Sequence, residues 1–267
     1  MDNTSISAAQ VAFLRAHKFH KIKIQLYRIG ILVLFLALWE ISARQNWIDD
    51  FIFSSPSKLI ACFFRMTTEN TLFYHIGITL FETIISFILV MLCSLMITIF
   101  LWYSKSLTET LDPYLVVLNS LPKSALAPLL IVWLGANYRT IILTGMSVAI
   151  FGTILNLYIG FHEVDTEKLK LITTLGGSKT HALFKVILPA NMPNLIGLMK
   201  TNIGLCLVGV IIGEFIAARA GLGYLIIYSS QVFQLDVVIM SIFILCIIAV
   251  GLYGTIQLIE KWYKKRM

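Results

Sequence analysis

Few side chains in this sequence are of a type and in a setting suited to chemistry. Three charges, Glu82, Lys123 and Glu214, fall inside or at the edges of long apolar runs. A charge in hydrocarbon costs free energy, so each marks a pathway, a pair or a gate by default. Glu82 stands near one end of its run, where it either pairs close to the headgroups or faces a pathway. Lys123 lies deeper, between Pro122 and Pro128, and either lines a water-filled passage or runs its stem toward the interface. Glu214 precedes Arg219 by five residues. A Glu214–Arg219 ion pair at the membrane edge is expected, with a gate role as the other reading. Pro122, Lys123, Pro128 and Glu214 are the candidate pathway or gate residues.

Other chemistries find no foothold. All five histidines (His17, His20, His75, His162, His181) fall in expected connections or tails, so no histidine-based site is expected at membrane depth. The four cysteines (Cys62, Cys93, Cys206, Cys246) have no metal-ligand spacing, and three lie in apolar runs, where they read as small buried hydrophobes. No catalytic residue, metal or cofactor is expected. The net charge of +7 comes from residues that form no basic stripe with interleaved aromatics, so nucleic acid is not a partner. Ser86, Ser94 and Thr98 recur at eight- and four-residue spacing on one side of a run, where small side chains permit close helix packing.

The elements that position these residues are membrane spans. Hydrophobic residues make up 58% of the chain and charged ones 13%, against roughly 25% charged in a soluble domain. That is too little charge to wet a surface. Crossing hydrocarbon takes about 20 mostly apolar residues. Six runs qualify or nearly do: 27–42, 80–103, 111–134, 140–160, 195–217 and 237–259. The third, which contains Pro122 and Pro128, is expected to kink or break. The segment before the first run is polar, then basic, and shows no small-residue cleavage site, so that run is read as an anchor that stays.

Charge sets the orientation. With the N-terminus inside, the inner segments take most lysines and arginines, and the outer ones hold only Arg44, Lys58, Arg65, Arg139 and Arg219. The expected organisation is an all-α integral membrane protein of about six transmembrane helices with both termini cytoplasmic. It has a tail over 1–26, a transmembrane domain over 27–262 and a short tail over 263–267. The outer segment 46–76 carries Ser54 to Ser57 as a helix start, followed by a short surface helix over 58–66.

The inner segment 161–194 is long for a turn. An amphipathic helix is expected to end at Gly176-Gly177, a second to start at a Ser178 cap, and the second to end near Leu188-Pro189. Such a glycine corner either docks on a partner or serves as a plain connector. Gly176 followed by Val186-Ile187-Leu188-Pro189 resembles the cytoplasmic signature loop of binding-protein-dependent importer permeases. That loop has a glutamate and two alanines, three residues, a glycine, then nine residues before an aliphatic-x-Leu-Pro ending. Gly176, Val186, Leu188 and Pro189 match; Lys170, Leu171 and Ile172 stand where the glutamate and alanines belong. Ser55-Pro56-Ser57, Asp112-Pro113, the stretch from Leu121 to Leu129, Trp133-Leu134-Gly135, Gly213-Glu214-Phe215 and the stretch from Ala220 to Leu225 are similar to the nitrate/sulfonate/taurine branch.

The resemblance implies a multi-pass permease of the inner cell membrane in the type I ABC importer arrangement. It further implies a second permease copy as a homodimer, ATP-binding-cassette ATPase subunits below and an extracytoplasmic substrate-binding protein above. The cargo implied is a small anion such as nitrate, a sulfonate or taurine, or a thiamine-precursor or riboflavin-like heterocycle. Lys170, Thr173, Gly176, Gly177, Ser178, Val186, Leu188 and Pro189 would form the ATPase coupling loop, and Gly221 and Gly223 would contact the binding protein. The chain has no Gly-x-x-x-x-Gly-Lys-Ser/Thr loop of its own, so ATP hydrolysis is expected on another polypeptide. The competing reading is a secondary transporter or channel not driven by ATP.

Overall fold

The computed structural model describes residues 8–266, and all its regular elements are helical. Residues 1–7 of the expected N-terminal tail and Met267 of the C-terminal one lie outside the described residues. Five helices are long and apolar enough to cross a membrane, or six if one bent pair counts as a span. The chain divides into two compact units, residues 1–62 and 63–267.

The first unit holds α1 (Ala8–Arg44), α2 (Asp50–Phe53) and the start of α3 (Pro56–Thr68). The basic stretch expected as a tail is therefore helical and continuous with the first span. Asp49 caps α2 by accepting from the Phe51 N–H at 2.9 Å. Glu40 accepts from Arg44 Nε at 2.7 Å and from the Ser57 N–H at 3.1 Å, tying the α3 start back to α1.

The second unit is built on α4 (Thr71–Tyr103), α7 (Tyr138–His162) and α10 (Leu188–Ala217). Between α4 and α7 lie α5 (Lys105–Ser120) and α6 (Lys123–Leu134). Between α7 and α10 lie α8 (Thr166–Thr174), α9 (Lys179–Ala182) and a π turn over Leu183–Ile187. The chain ends in α11 (Leu222–Gln231) and α12 (Leu235–Arg266).

Small side chains bring the three central helices together. A Cβ on Gly209 of α10 would lie 2.8 Å from the Gly145 Cα of α7, and one on Gly145 would meet Ser86 Oγ of α4 at 2.6 Å. Ser86, Ser94 and Thr98, all fully buried, donate across to the carbonyls of Ile142, Ile150 and Ile154 at 3.0, 3.5 and 3.5 Å. The spacing expected to permit packing thus also supplies hydrogen bonds along one seam. Phe87, Val90, Ala149, Ile203, Cys206 and Ile256 fill the middle of the block. Lys200 of α10 forms an ion pair with Glu260 of α12, which Lys264 joins at 2.9 Å.

Two proline sites resolve differently. At Leu121-Pro122 the chain breaks, and α5 and α6 meet at 98°. Leu121 is extended (φ −62°, ψ 142°) because the following proline ring excludes the helical region. At Leu188-Pro189 the expected stop does not occur. The π turn widens the helix just ahead of Pro189, with the Leu188 N–H reaching back to the Leu183 carbonyl. Pro189 then falls in the first turn of α10, where its missing N–H is no loss. Asn191 Nδ2 takes up the Ile187 carbonyl at 3.0 Å.

The glycine seam gives a direct test. Gly209→Val should lower the melting temperature of the purified chain, with a cost of about 1–3 kcal/mol from forcing two helices apart. Gly204→Ala, on the same helix with open space around it, should be neutral or stabilising by up to about 1 kcal/mol. Equal effects in thermal melts would show that the close approach is not what holds the block.

Candidate functional site: a glycine corner and a buried acid pair

The corner between α8 and α9 is built from local backbone rules. Asp165 caps α8 by accepting from the Glu167 N–H at 2.9 Å. At the other end Gly176 takes φ +76°, the left-handed conformation that closes a helix. The Gly177 N–H then reaches the Ile172 carbonyl at 2.8 Å, and the Gly176 N–H reaches Thr173 at 3.0 Å. A Cβ on Gly177 would come within 2.6 Å of Ile172 Cγ2. One glycine is needed for its φ and the next for space. Ser178 starts α9 with a reciprocal cap: its Oγ accepts from the His181 N–H, and His181 Nδ1 accepts from the Ser178 N–H at 3.2 Å.

One side of this corner is exposed and the other is rooted. Lys170, Thr173, Gly176 and Ser178 are exposed, with Leu171, Leu175 and Phe184 exposed beside them at 58%, 75% and 59%. Beneath, Phe161, Leu183 and Ile187 are buried against Leu95, Ile99 and Trp102 of α4. Val186 and Leu188 are half-buried and Pro189 is exposed. Tyr103 donates to Thr180 Oγ1 at 3.1 Å or accepts from it. The corner is therefore fixed to the ends of α4, α7 and α10 at once.

At the far end of α4 and α10 the turn 218–221 leads into α11. The expected Glu214–Arg219 pair is not made there. The helix ends at Ala217 and Ala218 is extended, so the two side chains do not share a face. Glu214 instead points inward, 1% exposed. Its Oε1 accepts from Thr79 Oγ1 at 2.7 Å and its Oε2 from the Gly223 N–H at 2.5 Å. The same Thr79 oxygen accepts from the Leu222 N–H at 2.8 Å. His75 Nδ1 accepts from the Gly221 N–H at 3.0 Å. Three consecutive backbone N–H groups at the start of α11 are thus caught by side chains from α4 and α10.

Glu82, 2% exposed, places its carboxyl against that of Glu214 within hydrogen-bonding reach. Glu82 is thus buried against Glu214. Gly221 (φ +114°) and Gly223 are buried rather than presented outward. A Cβ on Gly221 would collide with the Glu214 carboxyl, and one on Gly223 would lie 2.8 Å from Glu214 Oε2. His75 was expected in a connection. It lies in the first helical turns of α4 and stacks on Tyr224 at 6.1 Å, with Tyr224 stacked on Tyr228 at 5.7 Å.

The pathway candidates are not brought together. Pro122 and Lys123 sit at the α5–α6 elbow, where Lys123 Nζ folds back onto the Asn119 carbonyl and lies 3.4 Å from Asn119 Oδ1. Pro128 is exposed within α6. Glu214 lies instead against Thr79, Gly223 and Glu82. Thr79, His75 and Glu82 carry no local motif; a hydroxyl, an imidazole and a carboxyl four and three residues apart on one helix face are the only trace.

Residues 91–265 match the family described as the binding-protein-dependent transport system inner membrane component. A probable ABC transporter permease protein of Haemophilus influenzae is 28% identical over 229 residues, covering 86% of this chain and 91% of that one. The putative aliphatic sulfonates transport permease protein SsuC of Bacillus subtilis is 26% identical over 226 residues, covering 85% and 82%. The taurine transport system permease protein TauC of Escherichia coli is 24% identical over 245 residues, covering 88% and 89%. With a helical membrane fold, a glycine corner rooted in three spans and a family match over residues 91–265, the chain belongs to the binding-protein-dependent transport system inner membrane component family and is an ABC transporter permease.

Proposed function

We propose that this permease forms the translocation pathway of an importer whose ATPase is a separate polypeptide docked on the α8–α9 corner. The observation that carries this is the corner itself: exposed Leu171, Leu175 and Phe184 around a closed glycine turn, rooted by Phe161, Leu183 and Ile187 in the spans. A push on a rigid element rooted this way moves α4, α7 and α10 together. The ATP-bound state then gains contacts that favour one orientation of the spans over another. In this reading the corner and both termini are cytoplasmic, as the distribution of lysines and arginines supports.

The coupling residues remain Lys170, Thr173, Gly176, Gly177, Ser178, Val186, Leu188 and Pro189. Lys170, exposed where the family pattern has a glutamate, places a positive charge at the dock, so the matching cleft is read as carrying a carboxylate. A second copy of this chain completes the pathway. An extracytoplasmic binding protein delivers the cargo to the face bearing the α10–α11 turn. The cargo is a small anion or a heterocycle of the kinds named for the relatives, which include sulfonates, taurine, nitrate, formylaminopyrimidine and riboflavin.

Affinity purification of the solubilised chain from its native membrane, followed by mass spectrometry, tests the reading. An ATPase with a phosphate-binding loop should co-purify. A chain that emerges alone, under conditions where known complexes survive, points to a transporter not driven by ATP. Gly176→Val should reduce ATPase recovery or uncouple hydrolysis from uptake, because φ +76° strains a branched side chain by about 1–3 kcal/mol. Gly176→Asn, which tolerates that conformation, should retain most activity. Lys170→Glu should lower ATPase recovery several-fold, and unchanged recovery would remove the charge from the docking account.

A further inference from the structure

Glu82 and Glu214 are two acids buried against each other, and neither has a lysine or arginine partner among the described residues. Two carboxylates so placed cannot both be ionised without a large cost in a site that excludes water. Their surroundings are unequal. Glu214 receives the Thr79 hydroxyl on one oxygen and the Gly223 N–H on the other, the Tyr224 N–H is also within its reach, and it faces the N-terminus of α11. All of these favour an anion. Among the described residues Glu82 Oε2 is buried without a hydrogen-bond partner.

The other titratable groups facing the pair do not alter this balance. His75 uses Nδ1 as an acceptor for the Gly221 N–H, so its ring carries one proton, on Nε2, and supplies no counter-charge. Tyr224 is held by stacking between His75 and Tyr228.

We propose that the two acids hold a single proton, carried by Glu82, which donates to the Glu214 carboxylate and so positions it beneath the α10–α11 turn. Glu82 is then a positioning residue. It reaches the turn only through Glu214, and it joins α4 to α10 at the point where α11 begins. The proton acts as the missing cation of this site, and the clamp it forms holds the Gly223 N–H directly and the Leu222 N–H through Thr79. The assignment concerns the chain alone and stands whichever partner docks on the α8–α9 corner.

Infrared spectra and thermal melts of the full-length chain, purified in lipid–detergent micelles at neutral pH, test it. The wild type should show the carbonyl band of a buried protonated carboxylic acid. Glu82→Gln should abolish that band, while keeping a neutral donor and a melting temperature within about 2 °C of wild type. Glu214→Gln should keep the band but melt about 5 °C lower or more, because its amide sets a donor against the Gly223 N–H or the Thr79 hydroxyl. A wild type without the band would overturn the proposal. So would a band lost in Glu214→Gln but kept in Glu82→Gln, or a Glu82→Gln protein as unstable as Glu214→Gln. Should Glu214→Gln fail to fold, the spectra of wild type and Glu82→Gln still decide the protonation state.

Discussion

A helix start buried away from water leaves backbone N–H groups that only the protein can satisfy. The start of α11 is the severest case, with consecutive N–H groups opening in the interior of the second unit. His75, Thr79 and Glu214 supply the acceptors. The carboxyl is there because a single oxygen cannot serve this many donors. The glycines are there because the carboxyl must come close to the backbone. The second acid is there to complete the first. The local architecture thus follows from one need, to close a helix N-terminus without water.

The same need is met by other means elsewhere. At Pro189 the accommodation is a change of helical pitch just ahead of the ring. At Gly176 it is a left-handed residue that returns the last N–H groups to the helix. Between these points the α4–α7–α10 block has glycines where helices touch and hydroxyls that bond across the seam. α10, a helix of 30 residues, runs from the corner past Glu214 to Ala217, about 45 Å at 1.5 Å per residue. A displacement at the corner is carried to the acid pair by one continuous element.

What the sequence showed and what it hid divide along the distance over which the physics acts. Span positions, the Pro122 break, the glycine corner and the Ser178 cap depend on a residue's near neighbours, and all were legible. The Leu188-Pro189 stop was misread because a proline lacks a donor in any context, whereas the π turn that accommodates it is a tertiary solution. Glu214 was matched with Arg219 because they are adjacent in sequence, while its real partners, Thr79 and Glu82, are separated from it by more than a hundred residues. His75 gave no local sign either, since its role is defined wholly by the Gly221 N–H it accepts.

The α5–α6 elbow bears on how such a chain enters a bilayer. α5 has 16 residues and α6 has 12, about 24 and 18 Å of helix, each short of the roughly 30 Å of hydrocarbon. Held at 98°, the two do not add to one straight crossing that an insertion machinery can recognise by length. Both helices pack against α7, and Leu121, Leu126, Leu130 and Trp133 line an apolar cleft with Met146 and Phe151 of α7. The elbow therefore settles into place only once α7 is there to receive it, which makes biogenesis of this region cooperative and dependent on a helix synthesised later.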